Sequence, residues 1–262
     1  MKILLTNDDG IDAEAFLDFA DALRSGTSHT VYVLAPDSNR SGVSSALSLL
    51  RSSIRMVRRA ENIWACSGTP ADCVCVGMMG ALPVRPDLVI SGINAGPNIG
   101  TDIIYSGTAA AARQAALIGI PGIAVSLNAR PGAFFWKQAI DYAVAALPEW
   151  EALWTEDIFI NVNIPNTPEG PLGTRITFPA IRQYNDFLVA ETDSDGRVSC
   201  KIQGGNFHTE PESGSDWDAV SRNYASVSPV FLHPVVRRDL CAGVPDHAAV
   251  GPRPGRTTPG TQ

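Results

Sequence analysis

The chain has 262 residues, of which 45% are hydrophobic, so it can bury the core of one sizeable soluble α/β domain. Its formal net charge of −7 argues against a surface that attracts nucleic acid, and a small anionic substrate would need a locally positive site such as a metal ion. No apolar run approaches the roughly 20 residues that span a bilayer, and the amino-terminal segment lacks the long apolar stretch of a signal peptide, which indicates a cytoplasmic protein that does not bind membranes.

Strand and helix signals alternate in the first half of the chain. Short apolar runs predict buried strands at 2–6, 30–35, 88–90, 122–126 and 158–163. Apolar residues at helical spacing, or a run of alanines, predict helices at 13–23, 108–118 and 136–147, and Gly119 ends the second of them. This alternation predicts an α/β fold, a Rossmann-like three-layer sandwich in which helices cover both faces of a mainly parallel sheet.

The second half of the chain has a different pattern. Strand-like segments at 174–178 and 187–192 are followed by the turn signal DSDG and the segment RVSCKIQ, which predicts a hairpin arm projecting from the body at about 180–230. Residues 206–217 are loop-like, and the segment 241–262 is rich in Pro and Gly without periodicity. We therefore expect one domain over 1–240 and a disordered tail over 241–262.

Two adjacent carboxylates, Asp8 and Asp9, come directly after the first predicted strand. Ligands of open α/β sheets bind outside the carboxyl ends of the strands, so this position favours a binding site. One aspartate could instead cap the helix that follows, but a cap needs only one. Two carboxylates at a buried strand end are costly unless they are neutralised, and a hard divalent cation held through oxygen would do so.

Polar segments also follow the other predicted strands and begin the next helix. They are PDSNRSG at 36–42, SGINAGPNIG at 91–100 with Asn94 and Asn98, and YSGT at 105–108 with Ser106, Gly107 and Thr108. A helix start offers free N–H groups and the positive end of a dipole, where phosphate binds readily. Taken singly, Ser106 could be an ordinary N-cap and each Asn-Gly segment a plain turn. Their occurrence at successive strand ends favours a shared site.

Five motifs occur in a fixed order that resembles the survival protein E (SurE) family of metal-dependent nucleotidases. They are LLTNDDGI, VLAPDSNRSG, SGTPADCV, LVISGINAGPNIGTD and YSGT, and the segment SDWDAVSRNYASVSPV at 215–230 continues the resemblance. The resemblance spans about residues 1–230. It implies hydrolysis of nucleoside monophosphates to nucleoside and phosphate by a 5′-nucleotidase, and leaves 3′-nucleotidase and exopolyphosphatase activity open.

The resemblance also implies roles for particular residues. The implied ligands of one divalent cation per subunit, Mg²⁺ or Mn²⁺, are Asp8, Asp9, Ser41 and Asn94, and the implied catalytic residues are Asp8, Asp9 and Asn94. The implied phosphate-binding residues are Ser41, Asn98, Ser106, Gly107 and Thr108, of which Ser106 and Thr108 are expected to act on substrate and not on metal. The resemblance further implies that an arm of the kind predicted at 180–230 reaches another subunit, which gives a homodimer or homotetramer.

Two alternative functions are open at this point. A phosphatase of the haloacid-dehalogenase type uses a second aspartate two residues after the nucleophile, where this chain has Gly10. A non-catalytic nucleotide-binding module would keep a phosphate loop but would not need paired carboxylates. The preferred nucleotide, the physiological metal and the aspartate that accepts a proton are not determined by the sequence.

Overall fold

The chain folds around one large mixed sheet in a computed structural model, which describes residues 1–48, 53–129 and 132–234. The described strands are β1 (Lys2–Thr6), β2 (Thr30–Pro36), β3 (Met56–Ala60), β4 (Ile63–Cys66), β5 (Leu88–Asn94), β6 (Gly122–Asn128), β7 (Ile158–Pro165), β8 (Thr174–Ile176), β9 (Arg182–Tyr184), β10 (Phe187–Thr192), β11 (Val198–Gln203), β12 (Phe207–Thr209) and β13 (Ala225–Phe231). The large sheet has the order β3-β4-β2-β1-β5-β6-β7-β13-β8.

The middle of this sheet is parallel. Strands β4, β2, β1, β5, β6 and β7 all run parallel to one another, whereas β3 pairs antiparallel with β4 on one side of this body and β13 pairs antiparallel with β7 on the other. The predicted mainly parallel sheet is therefore confirmed. Helices α1, α3 and α4 lie in the connections β1–β2, β5–β6 and β6–β7, as crossovers between parallel strands require.

Helices cover both faces of the sheet. They are α1 (Phe16–Gly26), α2 (Pro70–Val76), α3 (Gly107–Leu117), α4 (Trp136–Ala152) and α5 (Asp216–Ser221), with a short 3₁₀ helix at Gly100–Ile104. Alternate residues of β1 enter opposite cores: Ile3 and Leu5 pack with residues of α1 and α4, and Leu4 packs with residues of α2 and α3. The three-layer arrangement follows from this alternation.

Several boundaries differ from the sequence-based prediction. Helix α1 begins at Phe16 and not at 13, because Ala15 lies in the left-handed region at φ 60°. Helix α4 continues to Ala152 through Pro148, since the fully buried Trp150 packs into the core beyond it. The short elements β3, β4, α2, β9, β12 and α5 were not predicted.

The predicted hairpin arm is present. Strands β10 and β11 pair from Phe187↔Gln203 to Thr192↔Val198, and all residues of β11 are exposed. Within the segment expected to be loop-like, β12 pairs with β9. Residues Met1–Leu232 form one compact unit, and the predicted disordered tail over 241–262 lies outside the described residues. In the described part of the chain, no helix has the length and apolar character needed to cross a membrane.

Candidate active site

The predicted site residues meet where the strand order reverses. Strand β1 pairs with β2 on one side and with β5 on the other, so the loops that follow these strands diverge over opposite halves of the sheet. The carboxyl ends of parallel strands at such a switch point form a crevice in which ligands bind. The loops at this crevice carry Asp8 and Asp9 after β1, Ser41 after β2, and Asn94 at the end of β5.

The loop after β1 is closed by Asn7. Its side-chain amide donates to the Gly10 carbonyl at 2.8 Å, and its Oδ1 accepts from the Gly10 N–H at 3.1 Å. A Cβ atom at Gly10 would stand 3.0 Å from the carbonyl carbon of Ser38, so this loop packs closely on the loop after β2. The Arg40 N–H donates to the Asp8 carbonyl at 2.7 Å, which brings Ser41 beside the carboxylates.

The two carboxylates lie in an environment that disfavours their charge. Asp8 is only 3% exposed, and burial raises the pKa of its carboxyl, although hydrogen bonds from Thr108 oppose the shift and the charge of Asp9 adds to it. Burial also raises the pKa of Asp9, whose Oδ2 accepts from the Ala95 N–H at 3.1 Å. Among the described residues no ion pair involves either aspartate. A pair of this kind lacks a countercharge, which a cation would supply.

The start of α3 packs directly on Asp8. Ser106 is the N-cap, and its hydroxyl oxygen accepts from the Ala109 N–H at 2.9 Å. The Thr108 hydroxyl donates to Asp8 Oδ1. A Cβ atom at Gly107 would lie 2.8 Å from Asp8 Cβ, so only glycine allows this approach. The hydroxyl of Thr108, expected to contact substrate, is thus directed to a carboxylate, while binding of phosphate by the main chain at this helix start remains a prediction.

Asn98 is held by a buried polar network that sequence reasoning missed. Its main-chain N–H donates to Asn163 Oδ1 at 2.8 Å, and its side-chain amide donates to the Ser126 hydroxyl at 2.7 Å. The side-chain amides of Asn161 and Asn163 both donate to the Asn98 carbonyl, at 2.9 and 3.1 Å. Two asparagines at alternate positions of the otherwise apolar run IFINVN were the available signal, because buried polar side chains require partners.

A cavity of about 500 Å³ opens over these residues. It is lined by Asp8, Ser41, Gly42, Asn94, Pro97, Asn98, Asp102, Tyr105, Ser106, Tyr184 and Asp186. Five of the predicted site residues therefore share one cavity, whereas Asp9 and Gly107 adjoin it through Asp8 and Thr108 is fully buried behind Asp8. The wall formed by Asp102, Tyr105, Tyr184 and Asp186 was not foreseen.

Replacing Thr108 with valine should weaken cation binding by about 10–100-fold at neutral pH, the cost usual for a residue that orients a metal ligand. Valine keeps the shape of the side chain but cannot donate to Asp8, and losing a bond that lowers the pKa of Asp8 leaves less of its carboxylate ionised. The check is a titration of Mn²⁺ binding at several pH values, in which raising the pH should restore affinity. Thr108→Ser retains the hydroxyl and serves as the matched control. A valine variant with unchanged cation affinity and only a raised KM would instead place Thr108 on the substrate.

Comparison with known proteins gives concordant results. The family described as Survival protein SurE matches residues 3–186. A 5′-nucleotidase SurE of Geotalea uraniireducens (strain Rf4) is 42% identical over 235 residues, covering 88% of this chain and 93% of that protein. A 5′-nucleotidase SurE of Pelobacter propionicus is 40% identical over 237 residues, covering 88% of this chain and 94% of that protein. The crystal structure of the SurE protein from Aquifex aeolicus superimposes with a TM-score of 0.78 at 34% identity, covering 92% of this chain and 97% of that one.

Proposed function

Because this chain belongs to the SurE family, we propose that it hydrolyses nucleoside monophosphates to nucleoside and inorganic phosphate with one bound divalent cation per subunit. The family membership expected from the motifs is confirmed. The observation that carries the proposal is the pair Asp8 and Asp9, which has no countercharge among the described side chains and of which Asp8 lines a cavity that a helix start also borders.

The donor set fits a hard divalent cation. The carboxylates of Asp8 and Asp9 supply the charge, and the Ser41 hydroxyl and Asn94 amide supply neutral oxygens. The Asn94 Nδ2 donates to the Gly96 carbonyl at 2.8 Å, which leaves Oδ1 as the atom available to a cation. No group of three or more His, Cys, Asp or Glu side chains suited to a metal occurs among the described residues. The candidate ligand set therefore combines two carboxylates with a hydroxyl and an amide oxygen. Such a set favours Mg²⁺ or Mn²⁺ over softer metals.

The chemistry divides between the cation and the side chains. When bound, the cation supplies a Lewis acid that polarises a phosphoryl oxygen and lowers the pKa of a water. The main chain at Ser106–Thr108 and the fixed Asn98 hold the phosphate at the helix start, where the dipole favours negative charge. A carboxylate oxygen of Asp8 or Asp9 takes the proton of the attacking water as a general base.

The test is a phosphate-release screen with purified protein. We expect turnover of nucleoside 5′-monophosphates with Mg²⁺ or Mn²⁺ and none after exhaustive chelation, with activity returning when the cation is restored. Nucleoside 3′-monophosphates and inorganic polyphosphate form separate arms that define the range of substrates. Full turnover in the chelated protein, or no release from any nucleotide with any divalent cation, would contradict the proposal.

We also propose that the protein is a homodimer joined through the β10–β11 hairpin. Leu188 and Ile202 lie opposite each other in this hairpin and are 62% and 75% exposed, so one face of it presents large apolar side chains to solvent. An isolated two-stranded hairpin is marginal in water, and a second copy would cover this face.

Replacing Leu188 and Ile202 together with serine should therefore shift the protein from dimer to monomer in light scattering. The matched control replaces the exposed Met79 and Leu172, outside the hairpin, with serine and should leave the dimer intact. A native chain that is monomeric at micromolar concentration, or a Leu188/Ile202 variant that is still fully dimeric, would rule out this assembly.

A further inference from the structure

One residue that lines the cavity, Asp102, forms a largely buried ion pair with Arg182. The side chain of Arg182 is 3% exposed, and its Nη1 lies 2.6 Å from Asp102 Oδ2. Its Nε donates to the Thr209 hydroxyl at 3.0 Å, and its guanidinium stands 4.5 Å from the centre of the Phe207 ring. Burial raises the pKa of Asp102 to about 6 although Arg182 opposes the shift, so Asp102 is mostly ionised at pH 7. The two hydrogen bonds from Nε and Nη1 fix the position of the guanidinium beside Asp102.

A second set of contacts joins the same two segments of the chain. The Thr101 hydroxyl donates to the Arg182 carbonyl at 2.9 Å and accepts from the Arg182 N–H at 3.1 Å. The Asp216 carboxylate accepts from the Gly100 N–H at 2.8 Å and from the Ala180 N–H at 2.9 Å. Strand β9 is therefore attached firmly to the 3₁₀ helix that leads to Ser106.

This attachment presents Tyr184 to the cavity. Its hydroxyl donates to Asp102, and its ring centre lies 6.1 Å from that of Phe207 with the two planes tilted by 52°. These two contacts hold the hydroxyl and the ring in place. Tyr184 nevertheless remains 41% exposed and lines the same cavity as Asp8 and Ser106. Because the ring is already held in place, little side-chain entropy is lost when a flat group of a ligand stacks on it.

We propose that Tyr184 determines specificity by stacking against the nucleobase of the substrate, an inference that rests on the proposed function of the site. The phosphate end of the cavity is defined by Asp8 and Ser106, and Tyr105 borders that end because it directly precedes Ser106. Tyr184 comes from β9 and lines the same cavity, so its exposed ring is available to the base of a nucleotide whose phosphate is held at Ser106. Every base has a π-face, so stacking favours nucleotides over phosphate esters without a base and discriminates weakly among bases. A cavity of about 500 Å³ lies within the range of small-ligand sites.

The experiment compares Tyr184→Ala with Tyr184→Phe on two substrates that differ only in the base, a nucleoside 5′-monophosphate and ribose 5-phosphate. Tyr184→Ala should raise KM for the nucleotide by about tenfold or more, the loss expected for one stacked base, with little change in kcat and none for ribose 5-phosphate. Tyr184→Phe keeps the ring and should rescue the nucleotide KM. Phe231→Ala is the matched aromatic control, because Phe231 pairs with Ile158 at the amino end of β7, away from the cavity.

A binding measurement separates failure of this inference from failure of the proposed function. Calorimetric titration of the nucleotide and of ribose 5-phosphate in chelated protein requires no turnover. Suppose that the wild type hydrolyses no nucleotide but binds it more tightly than ribose 5-phosphate, and that Tyr184→Ala removes this difference in affinity. The proposed stacking of the base on Tyr184 is then supported, and the proposed hydrolysis is refuted. Three results would each overturn the assignment of Tyr184. The first is a rise in KM in Tyr184→Ala that is equal for the nucleotide and for ribose 5-phosphate, and the second is equal affinity of the wild type for these two ligands. The third is a nucleotide KM and affinity in Tyr184→Ala that do not differ from those of the wild type.

Discussion

Replacing Asp8 with asparagine should reduce phosphate release by more than about 100-fold, since even the loss of a residue that only orients a metal ligand costs 10–100-fold. Asparagine keeps the size of the side chain and can still accept from Thr108, but it removes a negative charge from the candidate cation site. The variant should also lose the rise in Tm that Mn²⁺ is expected to give the wild type, because a ligand that binds only the folded state stabilises it. The measurement is phosphate release alongside a thermal melt with and without the cation.

The same variant should be more stable than the wild type when both are free of metal. Burial and Asp9 raise the pKa of Asp8, so the folded wild type carries an unfavourable charge above that pKa. The charge is relieved as pH falls, because the folded state then binds a proton more readily than the unfolded state. The stability advantage of Asp8→Asn should therefore be largest at neutral pH and shrink in acid. Asp18→Asn, an exposed carboxylate in the first turn of α1, is the control that should change neither activity nor cation response. Wild-type turnover in Asp8→Asn would exclude Asp8 as a ligand.

Replacing Gly107 with alanine is the second change with a large expected effect. The added Cβ would lie 2.8 Å from Asp8 Cβ, 2.9 Å from Asp8 Oδ2 and 3.2 Å from Pro70 Cγ, and real Cβ atoms do not approach backbone or side chains below about 3.0 Å. Asp8 cannot yield easily because it is buried and its other oxygen is bonded to Thr108. We expect phosphate release to fall by about 100-fold, in line with the cost of an ångström-scale displacement in an active site.

Gly204→Ala is the matched control for that change. An added Cβ at Gly204 meets nothing within 4 Å, so activity should remain at the wild-type level. Cation titration should show weaker binding in Gly107→Ala, because the displaced group is a candidate ligand. A Gly107→Ala variant with normal turnover and normal cation affinity would contradict this prediction, because it would show that the start of α3 can move away from Asp8 without loss of activity or of cation binding.

Local patterns in the sequence were sufficient for much of the architecture. The runs KILLT, TVYVLA and GIAVS are short and apolar, and each forms a parallel strand at the predicted place. The alanine-rich segment before Gly119 forms α3, because alanine favours helix and glycine accepts the positive φ that ends it. Helix α2 also had a local signal that was not used, the capping box of Thr69 and Asp72 with Pro70 at its first position.

Contacts between distant parts of the chain were beyond such patterns. The residues Asp8 and Thr108 are 100 positions apart, and their hydrogen bond depends on the order in which β1, β5 and α3 pack. The network that joins Asn98 to Ser126 and Asn163 likewise depends on β6 and β7 lying beside β5. No local periodicity encodes which strands become neighbours.

The sequence by itself determined the strand–helix alternation, the motifs at the strand ends and, through them, the family. These features depend on residue type and short spacing, which act over a few positions of the chain. Only the tertiary structure decided that Thr108 supports Asp8 and that Arg182 and Asp102 present Tyr184 to the cavity. Their roles depend on burial and on hydrogen bonds that form when segments about 80 to 100 residues apart come together, and those are properties of the folded chain.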